Sequence, residues 1–241
     1  MRERFERLIY KHMSAESEGS SIGTYKEKAL HRILKDLITE DSNCHEISVG
    51  DFVADVLCDG RISEIQTGSF APLKKKLLYN VNETEYSVNV IHPIIYEKTI
   101  LRIDKETGEL IRKKKSPKKG DIFDLLPELF YIKDVFGTKD LRITVFFINA
   151  EERRYSERRR YCREGAYDSE LIPLSLESVL VIRDKNCIKP YLPNADSFST
   201  KEFSSHSRLK GRRLSLCLAF LVSIGLLSKE KVGKQNIYTK I

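Results

Sequence analysis

The chain has 241 residues, 41% of them apolar and 32% charged, with 42 Lys or Arg against 35 Asp or Glu and a formal charge of +7. A chain of this length and composition folds around a sizeable core, as one large domain or two modest ones. No apolar run approaches the ~20 residues of a membrane span, and the longest, Leu214 to Leu227, is broken by Ser215, Ser223 and Gly225. The charged N-terminus MRERFERLIYKHMSAESEG lacks the apolar centre of a signal peptide, so a cytoplasmic protein without a membrane partner is expected.

Cys44, Cys58, Cys162, Cys187 and Cys217 are odd in number and form no CxxC pair, which argues for reduced thiols over a disulfide framework or a zinc site. His12, His31, His45, His92 and His206 show no metal-ligand spacing either. The charge is more telling, because Ser199 to Ile241 carries nine Lys or Arg against two acids while the preceding residues balance at 33 of each. One sign of charge on a short segment is the footprint of a polyanion partner.

The first periodic segment runs from Thr24 to about Thr39, where Leu30, Ile33, Leu34, Leu37 and Ile38 form a one-sided helix stripe. Ser20 to Thr24 supplies a loop and an N-cap, and Glu27 sits near the helix start at the edge of the buried face. Glu46 to Val49, Phe52 to Leu57 and Ile62 to Gln66 then alternate as strands, with Asp59-Gly60 between the last two. FAPLKKKLLY (70–79) reads as a short basic helix, followed by strands over about Glu85 to Pro93 and Ile95 to Ile103. Helix, strands, helix, strands is the order of an α/β layer architecture.

Lys105 to Gly120 is polar and basic, and reads equally as a phosphate-touching loop or a solvated charge run. A helix over Ile122 to Ile132 and a strand over Leu141 to Asn149 extend the core. The stretch EERRYSERRRYCREG suggests a helix of mutually neutralising charges, and LESVLVIR one more strand. The Pro and Asn of KPYLPNADSFS mark a boundary near residue 195. Two domains are therefore expected, an α/β domain over 1–194 with its core at about 20–150, and a basic module over 195–241.

Asp-Gly between alternating apolar runs is the strongest local hairpin signal. With Asp59 and Gly60 as the turn, facing residues have numbers totalling 119, which sets Asp55 opposite Glu64, with Cβ atoms about 4.5 to 5.5 Å apart. Val53 and Leu57 flank Asp55 on its face, and Ile62 and Gln66 flank Glu64. Two facing, partly buried carboxylates resist ionisation unless a cation lies between them. Oxygen ligands of this kind suit Mg2+ or Mn2+, which would polarise a phosphodiester and lower the pKa of an attacking water.

At Glu27, Asp55 and the triplet Glu64-Ile65-Gln66 the chain resembles the PD-(D/E)XK nuclease superfamily, whose core is a helix bearing an acid, then a hairpin bearing Asp and Glu-x-Lys. The resemblance covers roughly residues 20–103. It implies a restriction-endonuclease-like mixed sheet flanked by helices. It further implies metal ligation by Asp55, Glu64 and the carbonyl of Ile65, assistance from Glu27, and water positioning by Gln66. Ala54 replaces the signature proline, and Gln66 stands where lysine is usual. Lys74, Lys75 or Lys76 on the next helix is then the expected source of the missing charge and of contacts to nucleic acid.

Residues 199–241 read as helix, turn, helix, hairpin. Thr200 caps a short helix, Arg212 to Leu226 forms a longer one ended with the help of Gly225, and Leu226 to Lys231 pairs with Asn236 to Lys240. This resembles a winged helix. Arg208, Lys210, Arg212 and Arg213 near the long helix, with Lys231 and Lys234 near the wing tip, are placed as phosphate contacts.

These features together point to a Mg2+-dependent deoxyribonuclease tethered to DNA by a basic winged helix. The alternative is a catalytically degenerate nuclease fold that binds DNA or regulates, and a third class is an RNA-directed or protein-interaction module. Oligomeric state stays open, paired cuts in duplex DNA favouring a homodimer.

Overall fold

A computed structural model describes residues 1–16, 26–138, 140–156 and 168–241 of the chain. In order, the elements are α1 (Arg2–Glu16), α2 (Lys26–Ile38), β1 (His45–Val49), β2 (Phe52–Cys58), β3 (Arg61–Ile65), α3 (Lys74–Asn82), β4 (Ser87–Asp104) and β5 (Leu110–Lys115). There follow α4 (Leu126–Leu129), β6 (Leu141–Ser156), β7 (Asp168–Ile182), β8 (Ser197–Ser199), α5 (Thr200–Ser207), α6 (Gly211–Ser223), β9 (Leu227–Val232) and β10 (Gln235–Lys240). The larger sheet has seven strands in the order β1-β2-β3-β4-β6-β7, with β5 paired to β4. It is mixed, since β2 and β3 are antiparallel while β3 and β4 are parallel. A parallel neighbour needs a crossover connection, and α3 provides it. The expected α/β class, a large mixed sheet flanked by helices, is what the chain forms. Among the described residues, no helix is long and apolar enough to cross a membrane.

The chain divides into two compact units. The first comprises Met1–His45, Pro93–Gly120 and Phe146–Val179, the second Glu46–His92, Asp121–Val145 and Leu180–Ile241. In the first unit α1, which the sequence reading missed, packs on α2. Its apolar stripe is short, with Phe5 and Leu8 buried, and charges complete the match: Arg7 and Lys11 reach Glu40, and His12 Nε2 lies 2.9 Å from Asp36. The N-cap expected at Ser20 to Thr24 lies outside the described residues.

Within the second unit the Asp59-Gly60 turn forms as the dipeptide implies. Both residues have positive φ, 49° and 70°, the requirement of a type I′ turn, which Gly meets freely and Asp tolerates. The observed pairs Val56 with Ser63, Leu57 with Ile62 and Cys58 with Arg61 keep the expected register. Val49, Ala54 and Ile62 form the core beside this hairpin, with Leu57 and Tyr79 packed against it. Gly50 closes the preceding turn at φ 58°, where a Cβ would sit 2.0 Å from Tyr79 Oη. Chain geometry and the neighbouring ring both demand glycine there.

Four elements differ from the sequence reading. The strands expected on either side of Pro93 are one continuous β4. The basic stretch after Lys105 contains β5, with all its residues exposed, closed onto β4 through Asp104, whose carboxylate accepts from the N–H groups of Glu106 and Thr107. Ile122 to Ile132 is a broken run of helical turns, with Pro127 in the first turn of α4, where its missing N–H is tolerated. The helix expected over EERRYSERRRYCREG begins instead as the end of β6, where Arg153 pairs with Glu151 and Arg154 with Glu152 at two-residue strand spacing; 157–167 lie outside the described residues.

The C-terminal segment folds as helix, turn, helix, hairpin, with β8 added to give the three-stranded order β8-β10-β9. The cap of α5 is Ser199 and not Thr200, in a reciprocal capping box with Glu202. Gly225, at φ 66°, follows the end of α6. Val232 pairs with Gln235, so the turn between β9 and β10 is Gly233-Lys234. Residue 195, the expected domain boundary, lies inside the Leu180–Ile241 run of the second unit.

Candidate carboxylate site

Glu64 is 2% exposed, on a strand bordered on one side by β2 and on the other by β4, where it pairs with Val90. The backbone pairing of the hairpin ends at Val56 and Ser63, and Asp55 and Glu64 are the next residues along the two strands, close enough for the Asp55 charge to act on Glu64. Its carboxylate Oδ2 accepts the backbone N–H of Ile65 at 2.7 Å, which anchors it to the neighbouring strand. Asp55 itself is half-buried, and Val53 on its face is exposed. The buried acid of the pair is therefore Glu64.

Burial pushes the Glu64 carboxyl up to about 7, against the pull of the Lys76 ammonium and with the charges of Asp55 and Glu46 adding to the rise. Lys76 Nζ donates to Glu64 Oε2. The other oxygen, Oε1, is buried with no hydrogen-bond partner among the described residues. Of the three lysines on α3 it is thus Lys76 that reaches the acid, while Lys74 pairs with Asp134 at 2.8 Å and Lys75 is exposed. Glu46, which sequence reasoning passed over, lies on β1 with φ 52°; its alternating apolar neighbours drew attention to the strand and not to the acid.

An orphaned buried carboxylate oxygen opposite a second carboxylate is suited to a hard cation with oxygen ligands. Among the described residues no group of three or more His, Cys, Asp or Glu side chains could hold a metal ion. Asp55 and Glu64 would therefore supply only part of the oxygen shell that such an ion takes. Glu27 opens α2, and its side chain lies outside the described residues.

Gln66 is occupied locally. Its side-chain amide donates to the Ser69 carbonyl at 2.6 Å and its N–H to the Ile91 carbonyl at 2.8 Å. His92 Nδ1 lies 2.6 Å from the Gln66 carbonyl and so carries the proton, leaving Nε2 as the bare nitrogen of the neutral ring. Burial holds this imidazole below its ordinary value, and Phe70 meets it edge-on at 5.3 Å. Glu128 secures the same loop by accepting Ser69 Oγ at 2.9 Å and the Phe70 N–H at 3.1 Å. His92 and Glu128 carried no sequence signal, since only the fold brings them to this loop.

The basic residues of the C-terminal module divide into two sets. Arg213 donates to the carbonyl of Asp124 at 2.9 Å and to its carboxylate at 3.3 Å, and Arg212 to Tyr131 Oη at 3.3 Å. Arg208, Lys210, Lys231 and Lys234 are exposed. Residues 121–134 thereby bind the C-terminal module through Asp124 and the carboxylate-site loop through Glu128.

Residues 28–183 match the model of a family described as a domain of unknown function, DUF8091. An uncharacterized protein of Treponema pallidum (strain Nichols) is 28% identical over 176 residues, covering 70% of this chain and 66% of the relative. The chain thus spans just under two thirds of that relative's length. No solved structure matches.

Proposed function

We propose that this chain, which belongs to the DUF8091 family, is a Mg2+- or Mn2+-dependent nuclease hydrolysing DNA phosphodiester bonds. Asp55 and Glu64 are its ligating carboxylates, and the basic C-terminal segment, read as a winged helix, holds the DNA. The observation that carries this reading is Glu64: a buried carboxyl at about 7, one oxygen unpartnered, facing Asp55 across a hairpin. A metal bound there would supply Lewis-acid polarisation of the phosphodiester and stabilisation of developing charge. The chain's own groups do the rest of the positioning. The Ile65 N–H fixes the Asp55 carboxylate, and Lys76 supplies the positive charge that Gln66 does not. With its carboxyl near 7, Glu64 must release a proton to ligate the ion.

A second reading, a DNA-binding or regulatory protein on a degenerate nuclease fold, is favoured by the Gln66 amide being committed to Ser69 and by Lys76 already standing at Glu64. Cleavage of supercoiled and linear DNA with Mg2+, Mn2+ or EDTA, beside Asp55→Ala and Glu64→Ala, separates the two. Metal-dependent cutting lost in both variants supports the nuclease. No cutting, with DNA binding intact in both, supports the degenerate fold.

A further inference from the structure

Away from the carboxylate pair, the second unit contains a cavity of about 290 Å³ lined by Arg61, Arg142 and Arg183 together with Ser87, Gly137 and Thr138. Three guanidiniums gathered around one small cavity repel one another. Arg142 registers this, since burial and the charges of Arg61 and Arg183 hold it below its ordinary value. Its Nε is buried with no hydrogen-bond partner among the described residues, and a buried donor left unpaired carries a desolvation cost that natural sites avoid unless a ligand meets it. Arg61 is steadied by Nε donating to Ser87 Oγ at 3.1 Å, which leaves the outer nitrogens of its fork for another acceptor. Two acids, Asp140 and Asp184, also line the cavity. Asp184 Oδ1 is already taken, accepting the Asn186 N–H at 2.8 Å, and three cations against two anions keep the cavity positive. Gly137 borders it at φ 83°, with nothing within 4 Å of where a Cβ would stand, so the backbone itself is open to an approaching group.

We propose that this cavity binds a phosphate-class oxyanion, a free phosphate or the terminal phosphoryl group of a monoester. A carboxylate offers two oxygens, whereas a phosphoryl group offers three and close to two negative charges at neutral pH, matching several guanidinium forks at once. The volume is at the lower limit of ligand pockets, which suits a phosphoryl group better than a whole nucleotide.

The test measures binding of inorganic phosphate, a nucleoside 5′-monophosphate, and a short single strand with 5′-phosphate or 5′-hydroxyl, by calorimetry at ionic strength matched with chloride. The proteins are the full chain, Arg142→Gln, Arg183→Gln and the exposed control Lys201→Gln. Saturable binding weakened at least tenfold in both arginine variants and retained in Lys201→Gln is the expected result. Inorganic phosphate binding as well as the monoesters assigns the site to free phosphate. Preference for the 5′-phosphorylated strand over its 5′-hydroxyl twin assigns it to a strand end. Should Arg142→Gln fail to fold, the exposed Arg183 decides the matter alone. No binding of any phosphate beyond the chloride control, or equal loss in Lys201→Gln, overturns the proposal.

Discussion

Lys76 on α3 and Glu64 on β3 form a hydrogen-bonded ion pair in which the acid is almost fully buried and the lysine side chain is 17% exposed. The lysine restrains a carboxyl that burial would otherwise drive higher. Replacing it with an apolar side chain of similar length, Lys76→Met, removes both the hydrogen bond and the opposing charge. The Glu64 carboxyl is expected to rise above 7 by about one unit or more, as followed by carbon-detected titration of the side chain. An unchanged midpoint would show that the pair does not persist in solution.

The same carboxyl makes stability depend on pH. Its value is 4.5 for an ordinary glutamate and about 7 in the fold, so between these limits the folded state holds a proton that the unfolded chain has released. Stability therefore falls as pH rises from about 4.5 to about 7 and is level with respect to this group outside that window. The full drop is on the order of 3 kcal/mol. Urea unfolding from pH 4 to 9 should show this decline in the natural chain and a flatter profile in Glu64→Gln, which stays neutral throughout.

Asp55 has two separable duties. Its oxygen is the acceptor for the buried Ile65 N–H, and its charge is one half of the proposed ligand pair. Asp55→Ala leaves that N–H without its acceptor and should cost about 1 to 3 kcal/mol, whereas Asp55→Asn keeps an oxygen in place and should restore most of that loss. Neither variant should gain stability from Mg2+, while the natural chain should gain about 2.7 kcal/mol when the ion is at a hundred times its Kd. Equal Mg2+ stabilisation of all three proteins would remove Asp55 from the proposed metal site.

The hairpin was legible because its information is local: Asp59-Gly60 dictates a type I′ turn, the turn dictates the register, and the register sets Asp55 opposite Glu64. Lys76 was half legible, since the charge on α3 could be seen but not which of Lys74, Lys75 and Lys76 turns toward β3. What was not legible depends on tertiary packing. The stripe of α1 is marginal until α2 is there to receive Phe5 and Leu8. Pro93 was read as a strand end, yet β4 passes through it. Both acids lie on interior strands, so burial of Glu64 rather than Asp55 depends on what packs over each, Lys76 of α3 reaching Glu64, and the positions of His92 and Glu128 follow from the parallel strand and the helical turns after it.

Glu128 is predicted to matter through the loop it holds. It accepts from Ser69 Oγ and from the N–H of Phe70, a fully buried residue. Glu128→Ala should cost about 1 to 3 kcal/mol and speed amide exchange at Phe70, with Glu128→Gln recovering part of both. Exchange at Phe70 unaffected by Glu128→Ala would mean that Phe70 burial alone keeps the loop closed.

If the proposed DNA-binding function holds, the basic C-terminal residues should separate into structural and DNA-facing sets under a salt titration. Lys231 and Lys234 are exposed at the turn between β9 and β10, whereas Arg213 is joined to Asp124. Each phosphate contact contributes about −0.9 to the slope of log affinity against log salt on duplex DNA. The double variant Lys231→Gln, Lys234→Gln should therefore flatten that slope by about 2 if both residues meet phosphates, without changing thermal stability. Arg213→Gln should behave in the opposite way, losing about 1 kcal/mol or less of stability from a partly exposed ion pair with little change in slope. A double variant whose salt slope matches the natural chain would take the turn out of the DNA contact and favour a module that meets protein instead.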